Sequence, residues 1–329
     1  RALDAALIAS GISSIALMKK AARAALETLL AHWQNPVCIT VFCGSGNNGG
    51  DGYLLAAIAQ EKNIPAQVIA VGTAEKFTAD TLQAHAYALQ NGVTILPWQR
   101  DMEVPSAGVI VDALLGTGSS GAPHHAYAAA IAAINDSGLP VLALDLPSGV
   151  DADTGCAEGV AVVANVTITF VALKRGLFTA DAPDFVGAIE YASLGAEALN
   201  AQEECDGERL ELTDLLNALP PRQRTAHKGL FGHVMVIGGD SGMGGAVLMA
   251  AEAAARCGAG LISAATRPEH VSAILARRPE IMVAGVTSGQ ALESLLEKPT
   301  VLVVGPGLGR SAWSEQMLQQ ATLSGLPLV

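Results

Sequence analysis

Short apolar runs alternate with amphipathic segments along the first part of the chain. The apolar runs predict strands at Val37–Cys43, Gln67–Val71, Val93–Leu96, Val109–Asp112, Val141–Asp145 and Val166–Val171. Apolar residues at helical spacing between them predict helices at residues 53–63, 78–91 and 124–137. Strands that alternate with helices of this length are typical of an α/β fold with a doubly wound parallel sheet.

A helical arm precedes this series of elements, and a second series follows it. Residues 1–33 carry apolar residues at helical spacing, with a break near Gly11. Beyond a polar stretch at 200–209, the pattern predicts helices at Leu212–Leu219, 245–257, 289–296 and 311–323, and strands at His233–Ile237, 260–266 and 300–304. We therefore expect two domains, residues 1–205 and 206–329. Leu328 and Val329 have the pattern of a further strand, so we expect the second domain to be incomplete.

Composition and charge narrow the class of protein. At 329 residues, of which 50% are hydrophobic and 15% charged, the chain has enough apolar surface for two globular cores. The net charge of −12 argues against nucleic acid or an anionic membrane as the main partner. The 5 cysteines are scattered without a C-x-x-C pair, which favours reduced thiols and a cytoplasmic location. No uncharged apolar run approaches the roughly 18 residues of a membrane span.

The stretch from Gly44 to Gly52 is unusually rich in glycine and follows the first predicted strand directly. We expect it to form a loop before the helix at 53–63, with glycines that adopt positive φ and let the backbone approach a ligand. The N–H groups at the start of that helix would then face an anion, most naturally a nucleotide diphosphate.

Three polar clusters follow the ends of predicted strands. They are Asn47, Asn48 and Asp51 after the first strand, Asp112 with the loop 116–121 after the fourth, and the segment 145–151 after the fifth. Each cluster alone is more simply explained as a turn, because Asn, Asp and Gly are ordinary turn formers. Together they favour one binding site, since ligands of doubly wound sheets bind beyond the carboxyl ends of the strands.

The side chains of these clusters predict three kinds of chemistry. The loop 116–121 precedes a predicted helix and is a second candidate cradle for an anion. Asp112 ends a buried strand, where loss of water would raise its pKa toward acid–base use. Asn48, Asp112 and Ser148 offer amide, carboxylate and hydroxyl oxygens to a cation, and their low total charge suits a monovalent ion better than magnesium.

Three motifs connect these clusters to a known family. The sequences GNNGGDG at 46–52, VDALLGTG at 111–118 and DLPSGVD at 145–151 resemble the N-terminal domain of the bifunctional NAD(P)H-hydrate repair enzymes. The resemblance extends over residues 1–200. It implies a Rossmann-like domain that epimerises the R and S hydrates of NADH and NADPH at ring carbon 6.

The resemblance also implies the residues that bind the hydrate and a potassium ion. The hydrate contacts would be Asn47, Asn48, Gly49, Gly50, Asp51, Gly116, Thr117, Gly118, Ser119, Ser120, Gly121, Ala122 and Asp145. The potassium ligands would be Asn48, Asp112 and Ser148, and Asp112 is the candidate catalytic acid or base. One departure is Lys19, which stands where the family usually has a glutamate, and this leaves the contacts of the N-terminal arm open.

The second half resembles the dehydratase partner of these enzymes, which has a ribokinase-like α/β fold. The matching segments include HVMVIGGDSGMGG at 233–245 and GPGLG at 305–309. The resemblance implies dehydration of the S hydrate with ADP or ATP, which could bring magnesium with it, and hydrate contacts at Ala246 and Gly307. Two later family motifs, one of which supplies the catalytic aspartate, have no counterpart here. We therefore expect this chain to epimerise but not to dehydrate.

Two other interpretations remain open, and the assembly state is a separate expectation. An NAD-dependent dehydrogenase would explain the glycines at 44, 46 and 49, but the strand that ends at Val71 lacks the acidic ribose anchor of that class. A non-catalytic Rossmann module that binds nucleotides or proteins would not need the three polar clusters. We expect a homo-oligomer whose substrate is a small molecule, the hydrate.

Overall fold

The protein is described by a computed structural model that covers residues 2–9, 11–100, 102–196, 207–217 and 221–329. The chain forms two compact units, residues 1–209 and 210–329. The predicted domain boundary at 205/206 lies outside the described residues and stays a prediction.

The first unit alternates helices and strands, as the apolar pattern predicts. Its helices are α1 (Ala2–Ala9), α2 (Ser14–His32), α3 (Asn47–Glu61), α4 (Ala79–Gln90) and α5 (Ala126–Asp136). Its strands are β1 (Ile39–Cys43), β2 (Ala66–Ala70), β3 (Thr94–Pro97), β4 (Val109–Ala113), β5 (Val141–Leu144), β6 (Val166–Phe170) and β7 (Ala188–Ala192). Among the described helices of the whole chain, none combines the length and apolar character needed to cross a bilayer.

All seven strands of the first unit form one parallel sheet in the order β3-β2-β1-β4-β5-β6-β7. This arrangement confirms the predicted doubly wound α/β fold. The strand order reverses between β1 and β4, where Cys43 pairs with Ala113 at the carboxyl ends of the two strands. Such a reversal leaves a crevice in which ligands of these sheets bind.

The core of the first unit lies on both faces of the sheet. Every residue of β1, β4, β5 and β6 is buried, as expected for strands covered on both sides. Helices α2 and α3 pack on one face through residues such as Leu26 and Leu54. Helix α5 packs on the other face through Ile131 and Ile134. The two layers hold the carboxyl ends of the central strands in fixed positions.

The prediction of a loop from Gly44 to Gly52 is wrong, because α3 begins at Asn47 with Gly46 as its N-cap. None of the five glycines has a positive φ. Their role is close packing of backbones. A Cβ on Gly44 would lie 1.9 Å from the carbonyl oxygen of Leu114, and one on Gly49 would lie 2.0 Å from that of Gly44. The glycines therefore seat the first turn of α3 against the ends of β1 and β4.

Two features of the first unit were not predicted. Strand β7 lies at the edge of the sheet and is largely exposed, so it lacks the apolar run that marks the central strands. Lys19 places its ammonium 4.1 Å from the centroid of the Tyr87 ring, and the Tyr87 hydroxyl donates to Glu61. Lys19 thus makes a cation–π contact that holds α2 against α4.

The second unit contains a four-stranded parallel sheet in the order β10-β9-β8-β11. Its strands are β8 (His233–Ile237), β9 (Leu261–Thr266), β10 (Met282–Gly285) and β11 (Val301–Val304), and its helices are α6 (Leu212–Asn217), α7 (Gly244–Arg256), α8 (Val271–Arg277), α9 (Gly289–Glu293) and α10 (Ala312–Leu323). Helix α8 and strand β10 are short and were not predicted. Leu328 forms a parallel bridge with Leu302, as expected from its strand-like pattern.

The close packing at the start of α3 generates a stability prediction. Replacement of Gly49 by Ala should lower the free energy of unfolding by about 2 to 3 kcal/mol, because the new Cβ collides with backbone that cannot move aside. Replacement of Gly46 by Ala is the matched control, since nothing lies within 4 Å of its Cβ position. It should cost less than about 1 kcal/mol. Urea denaturation of both variants measures the difference, and equal losses would contradict this packing role.

Candidate active site

A cavity of about 1060 Å³ opens at the carboxyl ends of the central strands of the first unit. It is lined by eight of the predicted site residues: Asn47, Asn48, Asp51, Gly116, Thr117, Gly118, Ser119 and Asp145. Helix α2 supplies an apolar wall through Leu17, Met18 and Ala21. The cavity thus combines one apolar side with polar groups that follow the ends of four strands, β1, β4, β5 and β6, as small-molecule sites commonly do.

The first turn of α3 places two asparagines at this cavity. Asn47 is exposed, and its Oδ1 accepts a hydrogen bond of 2.7 Å from the hydroxyl of Thr78. Asn48 is buried, and its Nδ2 donates to the carbonyl oxygen of Leu115 at 2.9 Å. The other amide oxygen of Asn48, Oδ1, is buried without a hydrogen-bond partner in the described part of the chain. A buried acceptor of this kind costs free energy unless a ligand or water satisfies it.

Asp112 and Ser148 form a buried pair below the cavity. The Ser148 hydroxyl donates to Asp112 Oδ1 at 2.6 Å, and the Ser148 N–H donates to Oδ2 at 2.7 Å. The N–H of Leu114 adds a third hydrogen bond to Oδ1 at 3.2 Å. Asp112 is 0% exposed and Ser148 1% exposed. Neither residue is part of the cavity wall, so any effect of Asp112 on a ligand must pass through a neighbour.

Leu115 connects this pair to Asn48. Its N–H donates to the Ser148 hydroxyl at 2.9 Å, and its carbonyl oxygen accepts from Asn48 Nδ2 and lies 3.4 Å from the Ser148 hydroxyl. Asn48, Asp112 and Ser148, which lie far apart in the sequence, therefore belong to one hydrogen-bonded network. The network presents amide, carboxylate, hydroxyl and carbonyl oxygens in a small volume, as an oxygen-ligated cation site requires.

Burial controls the ionisation of Asp112. Removal from water raises the pKa of its carboxyl from 3.8 to about 6, and hydrogen bonds from Ser148 and Leu114 partly offset the rise. This agrees with the predicted direction. A carboxyl group in this range exchanges protons readily near neutral pH, which suits acid–base chemistry.

The loop 116–122 borders two cavities. Residues 116–119 line the large cavity, and residues 119–122 line a neighbouring cavity of about 460 Å³. Helix α5 begins at Ala126 rather than at the predicted residue 124, so the loop precedes a helix as predicted but does not reach its N-terminus. The intervening residues include His125, which has a φ of 48° and separates the loop from the helix. Any anion bound here would use the N–H and hydroxyl groups of the loop itself.

Two hydrate contacts predicted for the first unit do not reach either cavity. Gly49 and Gly50 are buried, Gly49 against Gly44 and Gly50 against the Met18 side chain. Both positions serve the packing of α3, and their assignment as contacts stays a prediction.

Sequence reasoning missed two basic residues of the large cavity, Lys174 and Arg175. The Lys174 ammonium forms an ion pair with Asp145, and both side chains are largely buried. The two residues follow the carboxyl end of β6, a strand that the sequence predicts. The strand-end rule that identified the other three clusters therefore points to this segment as well.

The second unit brings together the two hydrate contacts predicted for it. A Cβ on Gly307 would lie 3.0 Å from that of Ala246, so the two residues are neighbours. Their loops are joined by a hydrogen bond of 2.8 Å from the N–H of Asp240 to the carbonyl of Gly307. Hydrogen bonds from Ser311, Arg267 and the N–H of Ser241 lower the pKa of Asp240 to about 2. The ionised carboxylate thus fixes the first glycine loop to its surroundings.

Comparison with known families assigns each unit separately. The family described as YjeF-related protein N-terminus matches residues 14–176. The family described as NAD(P)H-hydrate dehydratase matches residues 234–329.

Two relatives are described as bifunctional enzymes. The bifunctional NAD(P)H-hydrate repair enzyme of Coxiella burnetii is 46% identical over 330 residues, which cover 100% of this chain and 67% of that protein. The enzyme of the same description from Escherichia coli K12 is 38% identical and covers 94% of this chain and 60% of that protein. This chain therefore spans about 60 to 67% of the length of these two relatives.

A solved structure is similar to part of the chain. The ADP/ATP-dependent NAD(P)H-hydrate dehydratase of Bacillus subtilis, co-crystallised with ATP and Mg²⁺, is 23% identical. The similarity covers 33% of this chain and 40% of that chain, with a TM-score of 0.29.

The raised pKa of Asp112 predicts a pH dependence of stability. The contribution of Asp112 is fully present below its unfolded pKa of 3.8 and is lost as the pH rises through about 6. In potassium-free buffer the loss should approach about 3 kcal/mol between about pH 3 and pH 8. Asp112→Asn removes the titration, so the difference in unfolding free energy between variant and wild type should change by that amount. If the unfolding free energies of the variant and the wild type changed with pH in parallel in urea denaturation, Asp112 would not have the raised pKa of a buried carboxyl.

Proposed function

The chain belongs to the family of bifunctional NAD(P)H-hydrate repair enzymes, and we propose that its first unit epimerises the R and S hydrates of NADH and NADPH. One observation carries the proposal. Asn48, Leu115, Ser148 and Asp112 come from three different strand ends and meet in one network beside a large cavity. Turns at neighbouring strand ends lie close together in any parallel sheet, but ordinary turns do not bury polar side chains that hydrogen-bond across three of them.

The large cavity suits a dinucleotide with one damaged ring. Its volume of about 1060 Å³ is at the upper end of the usual range for small-molecule sites. The apolar side chains of Leu17 and Met18 offer a surface for a ring, and the loop 116–119 offers N–H and hydroxyl groups to the diphosphate. Two cations, Lys174 and Arg175, also line the cavity, and Lys174 is paired there with Asp145.

A potassium ion fits the donor set around Asn48. The buried Oδ1 of Asn48 needs a partner, and Asp112 is the one carboxylate in the network. A single negative charge with amide, hydroxyl and carbonyl oxygens suits a weakly hydrated monovalent cation better than magnesium. Asn48, Asp112 and Ser148 would hold the ion. When bound, potassium would supply a fixed positive charge that orients the polar end of the hydrate.

Asp112 is the proposed source and acceptor of the proton. Epimerisation at ring carbon 6 can proceed when the hydroxyl group there receives a proton, leaves as water, and water returns from the opposite face with release of a proton. The Ser148 hydroxyl lies between Asp112 and Leu115, whose backbone borders the cavity. We assign the Ser148 hydroxyl as the first group of a relay from the buried carboxyl, which needs a water molecule to continue it past Leu115 to the ligand, because Ser148 does not line the cavity.

The second unit is proposed to be part of the dehydratase domain that uses ADP or ATP, with magnesium accompanying the nucleotide. Ala246 and Gly307 would contact the S hydrate, since they lie next to each other in segments of small residues that leave little steric bulk. Phosphorylation of the ring hydroxyl would turn it into a leaving group in the complete domain. This assignment rests on the family and on the two neighbouring loops.

Location and assembly are proposed on general grounds. The described cysteines, Cys38, Cys43, Cys156 and Cys257, are free thiols, which supports a cytoplasmic location. We keep the homo-oligomer as a proposal.

A non-catalytic binding module is the alternative function, and binding of the hydrate without conversion would favour it. Oxidation of NADH with a carbonyl substrate would favour a dehydrogenase instead.

Epimerisation tests the proposed role of Asp112. Asp112→Asn keeps the shape of the side chain but cannot exchange a proton, so interconversion of the two hydrates should fall by at least about 100-fold. The interconversion rate of Ser148→Ala should fall to a similar level if the hydroxyl relays the proton. Chromatographic separation of the R and S hydrates over time gives the rate, and thermal denaturation verifies folding. Unchanged rates in both variants would rule out this mechanism.

Potassium binding can be tested without any activity measurement. Potassium at about ten times its dissociation constant should stabilise the wild-type chain by about 1.4 kcal/mol. Sodium at the same concentration should stabilise the chain less, because the smaller sodium ion holds its water more tightly. Asn48→Ala removes the unpaired amide oxygen and should abolish most of the potassium effect. Thermal denaturation of both chains in potassium, sodium and choline chloride measures the stabilisation by each cation. Equal curves in all three salts would argue against the site.

A further inference from the structure

Two strained turns lie side by side at the rim of the large cavity. After β5, the N–H of Leu146 donates to the carbonyl of Leu144 at 2.8 Å, and the central residue Asp145 has a φ of 68°. After β6, the same pattern joins Ala172 to Phe170 at 2.7 Å, with Val171 at a φ of 67°. These are γ-turns with a left-handed central residue, which are rare, and a β-branched residue such as Val171 is especially unfavourable there.

The Lys174 ammonium ties the two turns together. It donates to Asp145 Oδ1, to the Thr169 hydroxyl at 3.0 Å and to the carbonyl of Phe170 at 2.8 Å. A lysine ammonium has three N–H donors, and these three acceptors use all of them. Lys174 therefore has no donor left for a ligand, although it lines the cavity.

Asp145 is left with one oxygen for a ligand. Its Oδ1 receives the Lys174 ammonium, together with long contacts of 3.4 Å from Thr169 and from the N–H of Phe170. Its Oδ2 accepts no hydrogen bond from the residues that the structure describes. An ionised carboxylate only accepts hydrogen bonds, and acidic residues of dinucleotide-binding sheets commonly accept them from a ribose hydroxyl.

We propose that Lys174 is a positioning residue, whose ammonium fixes Asp145 on its strained turn so that Oδ2 accepts a hydrogen bond from a ribose hydroxyl of the substrate. This inference rests on the proposed function, since it takes the hydrate as the ligand. The strain at Asp145 and Val171 persists because the surrounding contacts fix it, as is usual for strained residues at binding sites. The ribose does not react, so the contact serves binding rather than the chemical step.

Arg175 separates this idea from a simple effect of positive charge. It is the neighbouring cation of the same cavity, and its Nε donates to the carbonyl of Asp153 at 2.8 Å rather than to Asp145. If the cavity needs only positive charge, Arg175 and Lys174 should be similarly important. If Lys174 acts through Asp145, the effect of replacing Lys174 on KM should depend on the Asp145 carboxylate, and the effect of replacing Arg175 should not.

A double-mutant cycle with kinetics on the NADPH hydrates tests the proposal. Lys174→Met and Asp145→Asn should each raise KM about 10- to 100-fold, the range of hydrogen bonds to charged groups, with kcat changed less than about threefold. The KM of the double variant should be no higher than that of the single variant with the higher KM, because both substitutions remove the same contact. Lys174→Arg keeps a cation and should restore part of the loss. Lys62→Met, an exposed lysine at the end of α3, should leave KM unchanged.

The outcomes separate this inference from the proposed function. Additive losses in the double variant, a loss mainly in kcat, or an equal rise in KM for Arg175→Met would overturn the role of Lys174 while leaving epimerisation intact. A wild-type chain that neither binds nor converts the hydrates would overturn both proposals. If Lys174→Met does not fold in thermal denaturation, the same cycle with Lys174→Gln, a neutral side chain that still donates, gives the coupling to Asp145.

Discussion

The site depends on one steric constraint, the close approach of three pieces of backbone at the reversal point of the sheet. Gly44 lies against the carbonyl of Leu114, and Gly49 lies against the carbonyl of Gly44, at distances that exclude any Cβ. This packing joins the end of β1, the end of β4 and the start of α3. It places Asn48 within hydrogen-bond distance of Leu115, and Leu115 in turn contacts Ser148. Without the close approach, the three polar clusters would remain separate turns.

The network that results is polar, buried and low in charge. Asp112 is its single carboxylate. Three hydrogen bonds from Ser148 and Leu114 only partly compensate for the loss of water around that carboxylate, so its pKa rises. The unpaired amide oxygen of Asn48 adds a further cost. Such costs are common where structure serves binding rather than stability. The central sheet, buried on both faces, provides the stability that offsets them.

Much of the fold followed from the sequence because the central strands are apolar throughout and the helices between them are amphipathic. The convergence of Asn48, Asp112 and Ser148 could also be foreseen, since parallel strands bring their carboxyl ends to one edge. The start of α3 could not, because glycine is a poor helix former and only tertiary packing makes Asn47–Gly52 helical. The pairing of Lys174 with Asp145 spans 29 residues and depends on the neighbouring positions of β5 and β6, which no local pattern reveals.

The two units use glycine in opposite ways, although both were expected to use it for ligand contact. In the first unit the glycines at 44–52 keep negative φ and allow backbones to touch. In the second unit Gly239 and Gly307 have φ values of 70° and 61°, which side chains other than glycine rarely adopt. Those left-handed positions let the loop 238–243 pair with the loop 305–309 through backbone hydrogen bonds. A glycine-rich segment after a strand thus predicts a close approach, but the partner that comes close is decided by the neighbouring strands.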